Sequence, residues 1–195
     1  AENRFGFEET IYLLLFGTLP DVQTLEEFKA LIAEYRNLPD GFTEDMILAA
    51  PSMDIMNKLA RSVLALYSYD PSPDTDVHNI AKELNQALRL ISCSPIIVAN
   101  AFAAKRHYFD NESLHIHHTN STLSFAESFL YSIRPDNQFT EDEAKLLDLC
   151  LVLHAEHGGG NNSTFTCRVL SSSGTDIYSS ISAAVGSLKG PRHGG

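Results

Sequence analysis

Two histidine segments flanked by glycine lie in the last quarter of the chain: His154-Ala-Glu-His157-Gly-Gly-Gly-Asn-Asn-Ser-Thr and Gly190-Pro-Arg-His193-Gly-Gly. Imidazole changes charge near neutral pH, so such residues suit proton transfer or hydrogen bonding to an anion. Glycine removes side-chain bulk and allows a ligand to approach the backbone. His154 and His157 are three residues apart and share one helix face. The partial negative charge of a helix C-terminus favours a protonated or donating imidazole there, which can hold a carboxylate. Gly158, Gly159 and Gly160 let Asn161 and Asn162 turn back toward the same place. His193, with Pro191 fixing its approach, can donate to a developing oxyanion or serve as an acid or base. Taken alone, the first segment reads better as a glycine-rich helix stop with a buried, hydrogen-bonded histidine, and the second equally well as a loop with an exposed histidine.

Other chemistry fits less well. His115, His117 and His118 are dense but have no cysteine or regularly spaced carboxylate beside them, so a loop reading is preferred to a metal site. The His154 pair lacks the spacing of a zinc protease, and the glycine run lacks the lysine and hydroxyl residue of a phosphate-binding loop. Cys93, Cys150 and Cys167 are widely spaced, which predicts reduced and mostly buried thiols in a cytoplasmic protein.

These segments need a scaffold, and the sequence predicts an all-α one. The 195 residues are 44% hydrophobic and 20% charged, enough for one domain with a real core. A net charge of −11 argues against a general nucleic-acid binder. No signal peptide is recognised, and no apolar run is read as long enough to span a bilayer. The pattern predicts a helix from Gly6 to Phe16 burying Phe7, Ile11, Leu14 and Leu15. Thr24 and Glu27 read as a capping box before a stripe of Leu25, Phe28, Leu31, Ile32 and Tyr35. A turn follows at Pro39-Asp40-Gly41, then a short helix capped by Thr43. The next helix opens at Pro51 or Ser52 and buries Ile55, Leu59, Val63 and Leu66.

Asp76 is expected to begin a long helix carrying Ile80, Leu84, Leu88 and Ile91, kinked at Pro95 and continuing through Phe102. Residues His107 to Thr122 read as a loop, and Leu123 to Ile133 as a helix. Thr140 and Glu143 form a second capping box, opening an apolar and therefore central helix that delivers His154. Ser163 to Ser171 is expected to pack through Phe165, Val169 and Leu170. Asp176 caps a final helix whose Ser180, Ala183, Ala184 and Ser187 permit a close helix crossing.

Together these residues resemble the citrate synthase family, including 2-methylcitrate synthases. The resemblance rests on Phe7-Glu-Glu, Tyr12-Leu-Leu-Leu-Phe-Gly, Leu123-Ser-Phe-Ala-Glu-Ser-Phe-Leu-Tyr and, above all, the two histidine motifs in this order around Gly174-Thr-Asp-Ile-Tyr-Ser. Gly158 stands where many family members have Glu. The resemblance implies a multi-helical large domain over residues 1–195, truncated before the small domain that closes over the substrates. It implies an acyltransferase acting on acetyl-CoA or propionyl-CoA and oxaloacetate, with no cofactor besides the coenzyme A thioester substrate and no metal. By motif position, His193 would stabilise the enol or enolate and His157 would bind oxaloacetate, with Asn161 in support. The family's catalytic Asp, second catalytic His and carboxylate-binding Arg residues fall after the second motif, so the chain alone is expected to be inactive. A homodimer is implied, through Ser52 to Ser68, Asp76 to Lys105, Thr140 to His154 and Asp176 to Lys189, with neither nucleic acid nor membrane as partner. The rival readings are a non-catalytic helical dimerisation module and a histidine-based metal protein.

Overall fold

The computed structural model describes residues 5–74, 79–156 and 158–192. These contain helices and no strand: α1 (Phe7–Phe16), α2 (Val22–Glu34), a π-helical turn (Thr43–Leu48), α3 (Ile55–Ala65), a 3-10 turn (Leu66–Tyr69), α4 (Ile80–Asp110), α5 (Phe125–Ile133), α6 (Glu141–His154), α7 (Asn162–Ser171) and α8 (Ile177–Leu188). The all-α expectation is met.

Side-chain caps set most helix starts. Asp21, Asp54, Asn79, Ser124, Thr140, Asn161 and Asp176 each accept a hydrogen bond from a backbone N–H of the first turn, a contact worth about 1 kcal/mol in such positions. Several predicted boundaries move as a result. Thr24 is no cap: its own N–H donates to Asp21 at 2.8 Å, so α2 begins earlier. α3 opens at Asp54 rather than at Pro51 or Ser52. Asp76 lies outside the described residues, and α4 begins after Asn79. The predicted loop from His107 is helical as far as Asp110, where Asn111 closes α4 with φ of 57°. Ser124, not Leu123, begins α5, through a reciprocal cap with Glu127. The segment after Thr43 is a π-helical turn whose entry has no side-chain cap.

α4 runs through the centre. It stays helical across Pro95, as expected, while the Ser92 and Ser94 hydroxyls donate to the Leu88 and Leu90 carbonyls at 2.7 and 2.5 Å. One apolar cluster joins Phe42, Ile47, Val63, Leu90 and Ile97 to Tyr178; another joins Ile11, Phe28, Ile32, Leu88 and Phe125. Fully burying a side chain of this size contributes roughly 1.5–3 kcal/mol. By length and composition α4 is also long and apolar enough to cross a membrane, contrary to the sequence expectation, although 56% of its most apolar window is buried inside this fold.

Long-range polar contacts tie the layers together. Asp148 of α6 accepts from the N–H groups of Gly6 and Phe7 at 2.8 and 3.1 Å, capping α1 from a distance. Buried Glu8 accepts from the Phe125 N–H at 2.6 Å, and buried Arg36 donates to the Leu123 carbonyl at 2.7 Å. Buried Lys58 donates to the carbonyls of Met46 and Ala50 at the end of the π-helical turn. Burial holds its ammonium down to about 8.

Two predicted packing faces are overturned, and two more hold only in part. α6 is not a central helix: Ala144 and Asp148 are its buried residues, and Leu146, Leu149 and Leu153 are 63, 53 and 68% exposed. α7 buries no residue, and Phe165 and Val169 face outward. In α1, Ile11 is buried but Leu14 and Leu15 are exposed, as is Ile80 at the start of α4. Apolar periodicity marks a stripe without naming the neighbour that covers it. Of the thiols, Cys93 is buried, Cys167 partly so and Cys150 exposed, so the mostly buried expectation holds for only part of the set.

Candidate active site

The helix ends that carry the histidine motifs converge. α6 ends at His154, whose Nδ1 lies 2.7 Å from the Cys150 carbonyl oxygen. That oxygen can only accept, so the proton sits on Nδ1 and the ring is tied back to its own helix. His157 lies outside the described residues. The chain continues from Gly158, whose φ of 75° suits glycine and strains other residues. The Gly158 N–H donates to the Glu156 carboxylate.

Asn161 then caps α7. Its Oδ1 accepts from the Ser163 N–H at 2.9 Å and from the Ser163 hydroxyl. With this oxygen committed to the cap, a ligand contact by Asn161 would use Nδ2. α7 packs along α8, and the Asn162 amide donates to the Ser187 hydroxyl, fastening the start of one helix to the end of the other. α8 also packs closely on α3, where the Ser182 hydroxyl reaches the Ala60 carbonyl at 2.8 Å. Ser182 lies on the opposite side of α8 from Ser180, Ala183, Ala184 and Ser187, and the long-range hydrogen bond at Ser187 is to α7 rather than α3. At its end, the Lys189 ammonium pairs with Asp54, the α3 cap, at 2.9 Å. The Asp54 carboxyl is held below its ordinary value, first by the Asn57 N–H and then by Lys189.

The described chain after α8 ends at Arg192; His193 lies outside it. The end of α8, which leads toward His193, therefore lies against the start of α7, and the glycine loop that follows α6 lies against Arg168 of α7. Sequence reasoning passed over one residue there. A Cβ built on Gly159 would stand 3.1 Å from a guanidinium nitrogen of Arg168, so this α7 cation lies against the glycine loop. An arginine about two turns beyond a glycine-rich helix start was the available signal.

Among the described residues no group of three or more His, Cys, Asp or Glu is placed to hold a metal ion. In the His115 to His118 segment, the His117 Nε2 lies 3.0 Å from the Arg134 carbonyl oxygen and its ring stacks with that of His115.

The model for the citrate synthase C-terminal domain matches residues 1–195. The chain belongs to the citrate synthase family. Citrate synthase from Haloferax volcanii is 36% identical over 97% of this chain, and 2-methylcitrate synthase 1 from Corynebacterium glutamicum is 32% identical over 97%. Citrate synthase of Pyrobaculum aerophilum superposes with a TM-score of 0.85 at 30% identity over 97% of the chain and 47% of that structure. Another solved relative, from Thermoplasma acidophilum, is described as a ternary complex with carboxymethyl coenzyme A and oxaloacetate. It matches with a TM-score of 0.80 at 26% identity, covering 96% of this chain and 46% of that one. The chain spans about half the length of the curated relatives, 48% and 49% for the two named above.

Proposed function

We propose that this citrate synthase-family chain supplies the large helical domain of an enzyme condensing a short acyl-CoA with oxaloacetate. The observation that carries the reading is the end-to-end family match, made on a fold whose two histidine-motif segments converge. A base removes an α-proton from the thioester. The enol carbon then bonds to the keto carbon of oxaloacetate, and water cleaves the thioester to release coenzyme A and the product acid. His193 is assigned to the thioester oxygen, where a neutral imidazole donor stabilises the enol or enolate. His157 is assigned to oxaloacetate. Asn161 supports them by fixing the start of α7, and Arg168 adds positive charge beside the glycine loop. The coenzyme is a substrate, and no separate cofactor or metal is invoked. Citrate and 2-methylcitrate synthases match at similar identity, so the acyl group is assigned only as acetyl or propionyl.

The proton acceptor and the closing small domain belong, by resemblance, to sequence after the second motif. Residues 1–195 alone are therefore expected to give no useful turnover, since loss of a general base alone costs about 10²–10⁴-fold. The functional unit is proposed to be a homodimer built on helices of this domain, and the location the cytoplasm, although two plant relatives are named peroxisomal and glyoxysomal. The second reading, a non-catalytic helical association module, is favoured by the exposed leucines of α6.

Thiol release from acetyl-CoA with oxaloacetate separates the readings. The whole protein should turn over, and His193→Ala should lower kcat by about 10²–10³-fold. Near-normal turnover by that variant would overturn the assignment. Calorimetric titration with oxaloacetate should show binding that His157→Ala abolishes, and light scattering should show a dimer at micromolar concentration.

A further inference from the structure

A cavity of about 360 Å³ opens between the end of α2, the 3-10 turn, α4 and the start of α8, away from the histidine end. Its size is within the range of small-molecule sites. Leu38, Pro39, Leu66 and Leu90 give it apolar walls, Cys93 contributes a buried thiol, and Tyr35, Tyr69 and Tyr178 supply aromatic faces.

The walls are held by a polar network. Asp70 accepts from the Tyr178 hydroxyl at 2.7 Å, from the Gln86 amide at 2.7 Å and from the Ser72 N–H at 2.9 Å. Three donors therefore occupy the Asp70 carboxylate, tying α8 and α4 to the 3-10 turn. A second acidic residue of the lining, Glu34, is exposed at the end of α2. Arg89 lies at the mouth, with its guanidinium 5.2 Å from the centre of the Tyr35 ring. The Tyr35 hydroxyl is itself held by the Asn85 amide at 2.6 Å. Among the described residues no carboxylate forms an ion pair with Arg89. The cavity thus offers an apolar, aromatic interior and one available cation at its rim.

We propose that this cavity is a second small-molecule site that takes a small aromatic monocarboxylate, with its ring inward and its carboxylate on Arg89. A guanidinium presents paired N–H donors that match a carboxylate, and an aromatic ring uses the tyrosine faces. The cavity lies at the first turn of α8. The far end of that helix, about 18 Å away at 1.5 Å per residue, leads into residues 190–193.

Titration of the 195-residue chain with phenylacetate, followed by backbone amide shifts, tests this. Saturable shifts are expected at Tyr35, Leu66, Tyr69, Leu90, Cys93 and Tyr178. Arg89→Ala should weaken binding about tenfold, the size of one charge-assisted contact, while Arg89→Lys should retain part of it. Arg89 is exposed, and unchanged shifts elsewhere will confirm that both variants fold. No saturable shift, shifts centred on another region, or equal affinity in Arg89→Ala would each overturn the proposal. So would tighter binding of benzylamine, which would mark the tyrosines and Asp70 as a cation cage.

Discussion

The region around α4 and the histidine end are built in different ways. Around α4, Phe42, Ile47 and Ile97 have no exposed surface, and the buried charges of Glu8, Arg36 and Lys58 have backbone partners. At the histidine end, α7 buries no residue although it packs along α8, α6 exposes Leu146, Leu149 and Leu153, and the helix starts are fixed by caps and single side-chain links. The first region obtains its stability from hydrocarbon burial. The second is held by directional contacts and leaves much of its apolar surface exposed.

Substitutions can break this contrast. The largest effect is expected for Ile97→Ala, which empties a fully buried site: denaturant unfolding should show a loss of about 2–5 kcal/mol. Lys58→Ala should cost about 1–3 kcal/mol, because it leaves the Met46 and Ala50 carbonyls without their donor. Thr140→Ala removes one side of the α6 capping box and should cost about 1 kcal/mol in the same measurement. At the other extreme, Phe165→Ser or Leu149→Ser should change the stability of the isolated chain by less than about 0.5 kcal/mol. A core-sized loss for either would show that its exposed face is already packed.

Two solvent tests sharpen the comparison. The Arg134 guanidinium, followed by the Thr140 N–H, pulls the Glu143 carboxyl from 4.5 down to about 2. The folded state therefore releases this proton more readily than the unfolded one. Its contribution is fully present above pH 4.5 and is lost as pH falls through about 2. Thermal melts should show less acid destabilisation over that window in Glu143→Gln than in the unsubstituted chain. Among the thiols, burial pushes Cys93 up to about 12. A thiol reagent at neutral pH should therefore label exposed Cys150 first and reach Cys93 only on unfolding.

Local signals were legible where a helix carries its own boundary. The Thr140 and Glu143 box, the Asp176 cap and the Pro39-Asp40-Gly41 turn all stand as expected, because the residues that make these features are neighbours in sequence. The approach of α8 to α3 was not announced by Ser180, Ala183, Ala184 and Ser187, because the contact comes from Ser182 on the other side of the helix. Covering partners were not legible. Leu146, Leu149 and Leu153 have the spacing of a core stripe yet face outward, and no local pattern shows that Asp148 caps α1 from 141 and 142 residues away. The candidate site was legible as motifs, and the convergence of their flanks depends on the Asn162 to Ser187 contact, which periodicity does not contain. His157 and His193 themselves lie outside the described residues.

One consequence follows from the way α8 is fastened. Ser182 is latched to α3 at mid-helix, Lys189 to the α3 cap, and Ser187 to the first residue of α7. Sliding α8 along its axis by even one residue would break all three latches together. The helix is therefore indexed to its neighbours like a ruler against a fixed stop, and residues 190–192 inherit that zero point. Any rearrangement at this end is expected to come from other elements moving, with α8 as the stationary reference.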